Sequence, residues 1–296
     1  MSRTSALLWL ALALGTTAGP LHAEVALAAP VEEVKKHLNA GRIDAAIESG
    51  ESAVEALAQD SFAWFWLGRA YAQQAIKASL LGKPRWARKA RDAYEKAVAL
   101  DGSNLEARYD LLQYYLAAPG FLGGGRDKAV GQVTALRERD TSMGFLAAAL
   151  LARHDGQAAE VERLLREGLK LDPGSTRLRY NLSWQLQADK RWGEIRALWE
   201  ELLAVNPDDP LAHYQLGRLS AVSGEALDAG LSHLDAFLAN PRTSDAMSPA
   251  AAQWRRGQIL EKLGRRAEAI AAIEEALRLE PELAQARTDL DRLQDA

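Results

Sequence analysis

Cysteine is absent from this chain of 296 residues, and its absence excludes several kinds of chemistry. Without cysteine the chain has no disulfide framework, no thiol nucleophile and no cysteine that could carry a lipid. Proline is scarce, with 10 residues that fall largely between segments of helical pattern. Runs of β-branched residues are rare as well, whereas alanine, leucine, arginine and glutamate are abundant, so the composition favours an all-α fold.

A large excess of one charge is also missing. The 36 basic and 40 acidic residues give a formal net charge of −4. A nucleic-acid-binding surface usually brings a marked excess of lysine and arginine, so we expect no nucleic-acid partner. We expect no cofactor either.

Local catalytic and metal-binding motifs are lacking. The chain contains neither an H-E-x-x-H metal helix nor a G-x-S-x-G nucleophile elbow. The five histidines lie on separate segments and are His22, His37, His154, His213 and His233. We therefore predict a protein that is not an enzyme and has no metal site. A catalytic site assembled from distant segments would leave no local motif, so an enzymatic function stays an alternative.

The N-terminal segment has the pattern of an export signal. Arg3 precedes an apolar run at 6–14, and Ala23 offers a small residue before a cut at Glu24. Ala28 is a second possible cleavage point. The run is well below the roughly 20 residues that a spanning helix needs. We predict a signal peptide over 1–23, a periplasmic or secreted mature protein, and no stable membrane insertion after cleavage.

One stretch carries a recognisable repeat motif. Residues 61–104 contain W-x2-L-G-x2-Y, formed by Trp64, Leu67, Gly68 and Tyr71, followed in the second half by Ala90 with Tyr94 four residues later. This pattern resembles the tetratricopeptide repeat family, in which each repeat is a helical hairpin. A single hairpin cannot bury both of its faces, so one copy predicts neighbouring copies.

Prolines support the period of that family. Pro173, Pro207 and Pro241 are spaced by 34 residues. The resemblance implies a right-handed α-solenoid, in one domain over 24–296, with about seven hairpins and a C-terminal capping helix at 284–296. The predicted repeats lie near 27–60, 61–104, 105–140, 142–175, 176–209, 210–243 and 250–283.

Aromatic, arginine and glutamine side chains recur at two positions of the predicted first helices. In the family that it resembles, repeat positions 5 and 9 face the inner, concave surface, where partners usually lie. Tyrosine, tryptophan and arginine are the residue types that dominate binding hot spots. We predict a binding site for a protein or peptide in this groove, and we call the ten residues the inner row: Phe65, Arg69, Tyr109, Gln113, Tyr180, Trp184, Tyr214, Arg218, Trp254 and Gln258. The alternative is that these rings only pack between repeats.

The function that follows is a non-catalytic scaffold of the cell envelope that binds a peptide or protein segment. Two other segments support alternatives. The first is a ligand-binding or enzymatic protein that uses the glycine-rich turn at 119–126, which ends in Arg126. This turn faintly resembles a phosphate-cradling loop, although the strand and the Gly-Lys-Ser/Thr ending of a P-loop are missing. The basic segment at 77–91 is an alternative edge for binding the cell wall or another anion, although most charge runs are solvated faces.

Overall fold

Helices make up most of the computed structural model, which describes residues 28–241 and 247–295. Those residues contain no β-strand, and the prediction of an all-α fold is confirmed. The helices are α1 Ala29–Asn39, α2 Ile43–Ala56, α3 Ser61–Lys77, α4 Lys83–Leu100, α5 Leu105–Ala117, α6 Arg126–Arg137, α7 Thr141–His154, α8 Ala158–Leu171, α9 Thr176–Ala188, α10 Trp192–Val205, α11 Pro210–Ser223, α12 Leu227–Ala239, α13 Pro249–Lys262, α14 Arg266–Leu279 and α15 Ala284–Asp295. The predicted signal peptide lies outside the described residues.

Polar caps start most of the first helices of the hairpins. Asp60 accepts hydrogen bonds from the backbone N–H groups of Phe62 (2.7 Å) and Ala63 (3.2 Å), which satisfies donors that have no partner inside α3. The same role is filled before α5, α7, α11 and α13 by Asn104, Asp140, Asp209 and Ser248. Each of these hairpins therefore begins with an N-cap residue, whose side chain accepts a hydrogen bond from the first turn of the helix.

A glycine allows the two helices of a hairpin to approach closely. A Cβ atom built on Gly68 would lie 2.7 Å from the ring of Tyr94, which is itself buried. In α11 a Cβ on Gly217 would lie 2.4 Å from Leu234, and in α13 a Cβ on Gly257 would lie 2.5 Å from Ile273. The glycine of the motif, Gly68, therefore lies where the second helix comes near, and a glycine has the same place in two later hairpins.

The extra residues of the second repeat lengthen its helices. The second predicted repeat, 61–104, is about ten residues longer than the family's period of 34, and the sequence indicates that the added residues lie between its two helices. In the structure α3 has 17 residues and α4 has 18, and the turn between them is only 78–82. Pro84 stands in the first turn of α4, where a proline costs no helical hydrogen bond. The insertion is therefore mostly helical rather than a long loop.

The chain divides into two compact units. Among the described residues, the first ends at Leu178 and the second begins at Arg179, so the division falls within α9. The single predicted domain, the repeat boundaries and the handedness stay predictions.

Candidate functional site

All ten residues of the inner row lie on first helices, but their exposure differs. In the first unit Phe65, Tyr109 and Gln113 are buried, and Arg69 is half-buried. In the second unit Tyr214 is buried, Tyr180, Arg218, Trp254 and Gln258 are half-buried, and Trp184 is 48% exposed. The expectation that these rings stand open in a groove is thus wrong for Phe65, Tyr109 and Tyr214, while the binding role of the row stays a prediction.

The buried residues of the first unit serve internal contacts. Nε of Arg69 donates a hydrogen bond of 2.8 Å to Asp110, a buried carboxylate on α5, and the guanidinium also stacks 4.7 Å from the ring of Phe65. The amide of Gln113 lies 3.5 Å from the same carboxylate. Burial raises the pKa of Asp110 above its usual value even though Arg69 acts in the opposite direction. Arg69 is therefore committed to joining α3 to α5, while Phe65 and Gln113 contact the two partners of this ion pair within their own helices.

A second ion pair in the first unit lies beside Tyr109. Arg177 donates to Glu106 of α5 and also reaches the sulfur of Met143 at 2.9 Å. Burial raises the pKa of Tyr109 to about 12, although the nearby Arg153 and Arg177 oppose the shift. A buried, neutral phenol of this kind is a packing group and does not offer its ring to a partner.

Tyr214 is a packing residue of the second unit. Its ring centre lies 5.4 Å from that of Phe237 on α12, and burial raises the pKa of its phenol. The ring of Tyr214 is therefore packed against the second helix of its own hairpin. An alanine substitution here would test the core rather than the groove, because removing a buried aromatic side chain costs about 3–5 kcal/mol.

The last helix covers the end of the inner row. Asp289 of α15 accepts hydrogen bonds from Nε1 of Trp254 (2.8 Å) and from the amide of Gln258 (3.0 Å). Arg292 of the same helix binds Asp289 and also Glu261. The predicted cap therefore engages the polar atoms of the last two residues of the row.

Three residues of the row remain open to solvent in the second unit. Trp184 is the most exposed of them, and Tyr180 lies one turn earlier on the same face of α9. Arg218 of α11 donates two hydrogen bonds to the side-chain oxygen of Gln187, at 3.0 and 3.1 Å. Gln187 is three residues after Trp184, so Arg218 reaches the surface patch that the tryptophan occupies.

A second arginine, which the sequence patterns did not single out, joins this patch. Arg255 stacks on the ring of Trp254 with its guanidinium carbon 4.0 Å from the ring centre, and it donates to Gln258 at 2.8 Å. Burial lowers its pKa and the charge of Arg218 adds to that effect, whereas Tyr214 and the more distant Asp289 oppose it. Within the described residues no carboxylate lies within 4 Å of the guanidinium of Arg218 or of Arg255. We call Tyr180, Trp184, Arg218 and Arg255 the open patch. In the sequence, the one signal for Arg255 is that it directly follows Trp254, a residue of the inner row.

The glycine-rich turn does not form a phosphate cradle. The backbone N–H groups of its last four residues before Arg126 all donate within the turn or to the end of α5, as follows: Leu122 to Pro119, Gly123 to Gly120, Gly124 to Pro119 and Gly125 to Tyr115. Arg126 is paired with Asp155 at 2.7 Å. Because a phosphate site of this type depends on free N–H groups, the geometry does not favour an anion ligand here. Instead, Arg91 of α4 donates to the carbonyl of Leu122 (2.9 Å) and fixes the turn against the second repeat.

The histidines form one close pair. Nδ1 of His213 lies 3.0 Å from Nδ1 of His233, and Nε2 of His213 contacts the carbonyl of Pro207 at 2.9 Å. A carbonyl only accepts hydrogen bonds, so Nε2 of His213 carries the hydrogen and its Nδ1 accepts from His233 when both rings are neutral. Throughout the described residues, no group of three or more histidine or carboxylate side chains is placed to hold a metal ion.

The family comparison identifies one repeat by sequence. Residues 250–283 match the family model described as Tetratricopeptide repeat, and these are the residues predicted as the seventh hairpin. No curated protein matches the chain.

Several solved structures are similar to it. One is a tetratricopeptide repeat protein from Parabacteroides merdae ATCC 43184, with 15% identity, 90% of this chain and 97% of that chain covered, and a TM-score of 0.49. Another is PilW, described as a widely conserved type IV pilus biogenesis factor, with 18% identity, coverage of 76% and 98%, and a TM-score of 0.49. YrrB, described as a TPR protein with an unusual peptide-binding site, has 17% identity, coverage of 82% and 98%, and a TM-score of 0.40.

Proposed function

We propose that this tetratricopeptide repeat protein is a non-catalytic scaffold that binds an acidic peptide segment at the open patch. The observation that carries the proposal is the pair of guanidinium groups of Arg218 and Arg255, which influence each other electrostatically and have no carboxylate within 4 Å among the described residues. Both belong to the unit that contains the exposed Trp184. A guanidinium forms its strongest hydrogen bonds with carboxylates. A partner that supplies one therefore completes the site.

The four residues of the open patch have two roles in this proposal. Arg218 and Arg255 bind the carboxylate, and their contacts to Gln187 and Gln258 hold the two guanidinium groups in place. Trp184 and Tyr180 contribute apolar area and little flexibility, which reduces the entropy lost on binding. The preferred segment thus combines an aspartate or glutamate with an apolar residue.

A peptide selection tests the proposal. Random 12-residue peptides displayed on phage are selected against the purified chain, and the strongest binder is measured by fluorescence anisotropy. We expect acidic and apolar residues to be enriched together, and we expect Trp184→Ala and Arg218→Gln each to weaken binding by about tenfold or more. Trp192→Ala and Arg196→Gln, on the second helix α10, are the matched controls and should leave the affinity unchanged. Enrichment without acidic residues, or equal losses in the controls, would contradict the proposal.

We also propose that the scaffold acts outside the cytoplasm. The supporting observation is the basic and apolar pattern of the first 23 residues. N-terminal sequencing of the protein from its native cells should show a chain that begins at Glu24 or, with the second cleavage point, at Ala29. A chain that begins at Met1 and stays with the cytoplasmic fraction would contradict export.

A further inference from the structure

Two turns of the first unit carry large apolar side chains that are exposed to solvent. Leu80 and Leu81, in the turn between α3 and α4, are 74% and 95% exposed. Phe121, in the short 3-10 turn Gly120–Leu122 after α5, is 75% exposed. Single exposed apolar residues are common on protein surfaces, but adjacent ones that are almost fully exposed indicate a contact surface.

The two turns lie at one edge of the first unit. Both follow the first helix of consecutive hairpins, so they are at the same end of those hairpins. The hydrogen bond from Arg91 to the carbonyl of Leu122 joins the second turn to α4, the helix that begins directly after Leu80 and Leu81. We call Leu80, Leu81, Phe121 and the basic segment at 77–91 the basic edge.

The charge of this edge is opposite to that of the whole chain. Residues 77–91 contain six lysines and arginines and no acidic residue, in a protein of net charge −4. Lys89 and Arg91 bind Glu51 and Asp92. Within the described residues, no carboxylate lies within 4 Å of the other four cations, which are Lys77, Lys83, Arg85 and Arg88.

An interfacial aromatic residue completes the pattern. Trp86 is half-buried one turn after Leu81, with the guanidinium of Arg85 at 5.4 Å and the ammonium of Lys89 at 5.1 Å from its ring. Leucine, tryptophan and uncompensated basic residues on one short segment are typical of proteins that lie on an anionic membrane surface. A tryptophan with basic neighbours suits the headgroup level of a bilayer.

We propose that the basic edge binds the surface of a bilayer that contains anionic lipids. Leu80 and Leu81 enter the boundary between headgroups and acyl chains, and the four uncompensated cations bind lipid phosphates. A lipid surface fits better than a folded partner, because two protruding leucines in a five-residue turn form no groove, whereas lipid chains move apart around them. Binding is peripheral, since no helix of the described residues has the length and apolar character to cross a membrane. The proposal is independent of the open patch in the second unit.

The lack of cysteine makes a local test possible. A single Leu81→Cys substitution can be labelled with the environment-sensitive dye NBD, and the labelled full chain is mixed with vesicles of equal parts phosphatidylglycerol and phosphatidylcholine. We expect a blue shift of the emission and quenching by nitroxide-labelled lipid. Val205→Cys is the matched control, since Val205 is 85% exposed at the last residue of α10 in the second unit. Its label should show neither effect, and because the dye reports only its own surroundings, binding by the first 27 residues does not imitate the signal.

The contribution of charge is measured in the same background. Arg85→Gln with Arg88→Gln should raise the lipid concentration for half-maximal blue shift by roughly 25-fold, about fivefold for each basic residue. Added salt should weaken binding as well, and pure phosphatidylcholine vesicles should give no shift. Circular dichroism checks that the exposed substitutions leave the fold intact.

Four results would overturn the proposal. Three of them concern the blue shift of the NBD emission: no shift with the anionic vesicles, an equal shift with pure phosphatidylcholine, and an equal shift at the Val205→Cys label. The fourth is an NBD emission at Leu81→Cys that is already blue-shifted before lipid is added. The last would show that another part of the chain covers the leucines. If the protein does not bind the vesicles but sediments with purified sacculi, the basic edge binds the cell wall instead.

Discussion

The inner row is built from the same residue types in both units, but its side chains have different surroundings. In the first unit Arg69 binds Asp110 and stacks on Phe65, so the row holds neighbouring helices together. In the second unit Arg218 contacts the amide of Gln187 and Arg255 stacks on Trp254, and within the described part of the chain no carboxylate lies within 4 Å of either guanidinium. Trp184 is exposed. The carboxylate that pairs directly with the arginine of the row thus distinguishes the structural part of the row, at Arg69, from the part that can accept a ligand, at Arg218.

The largest expected effect comes from breaking the ion pair of the first unit. Arg69→Gln leaves the carboxylate of Asp110 buried without its cation, and we expect a loss of about 3–5 kcal/mol in the free energy of unfolding, measured by urea denaturation. Asp110→Asn should cost less, because the half-buried Arg69 can still reach water. The double substitution should recover part of the loss. Equal, small effects of both single changes would mean that this row is not structural.

Close packing in the hairpins should give the next largest effect. Gly68→Ala brings a methyl group to 2.7 Å from the buried ring of Tyr94, and we expect a loss of about 1–3 kcal/mol. Gly217→Ala should cause a similar loss in the second unit. The control Gly131→Ala, on α6 with no neighbouring atom within 4 Å, should stabilise the chain by about 0.5–1 kcal/mol. If Gly68→Ala lowers the free energy of unfolding and Gly217→Ala does not, the second unit is loosely packed. The exposure of the open patch would then reflect loose packing.

Removing the exposed tryptophan should have almost no effect on stability. We expect Trp184→Ala to change the free energy of unfolding by no more than about 0.5 kcal/mol, as is usual for surface substitutions, while it abolishes most peptide binding. The matched change in the buried row, Phe65→Ala, should cost about 3–5 kcal/mol. Similar urea midpoints for the two variants would remove the distinction between the rows.

The smallest effect concerns pH and arises only in the second unit. Burial and the neighbouring His213 lower the pKa of His233, while Glu200 opposes the shift. The unfolded chain therefore binds a proton more readily than the folded chain does. The contribution of neutral His233 to the free energy of unfolding is complete above the unfolded-state pKa of about 6.5. It is lost as the pH falls from there through the lower pKa of the folded state. Urea midpoints between pH 7.5 and pH 5 should fall less for His233→Phe than for the unchanged chain. An identical pH dependence would show that this pair does not titrate in that range.

Local features of the fold could be predicted from the sequence because each has a local cause. Gly68 and Tyr94 indicated a close helix approach, and the cap at Asp60 indicates the start of a helix without reference to the rest of the chain. Exposure could not be predicted in this way. Helical spacing gives the direction in which Phe65 and Tyr214 project, but whether a ring is covered depends on the size of the side chains that meet it, here Tyr94 and Phe237 on the second helices.

The candidate site was predictable only in part for the same reason. Trp184 and Arg218 follow from the repeat positions, whereas Arg255 and the covering carboxylate Asp289 come from positions outside that pattern. Asp110 gave a weak signal, as a carboxylate within an otherwise apolar stretch of α5. Its pairing with Arg69 joins residues 41 positions apart, which no local pattern reports.

Hydroxyl-radical footprinting with mass spectrometry, with and without the selected peptide, tests the difference between the rows most directly. We expect rapid oxidation of Trp184 in the free protein and strong protection by the peptide, with slow oxidation of Phe65, Tyr109 and Tyr214 in both states. Slow oxidation of Trp184 in the free protein, or protection that falls on Phe65 and Tyr109 while Trp184 stays reactive, would contradict the account.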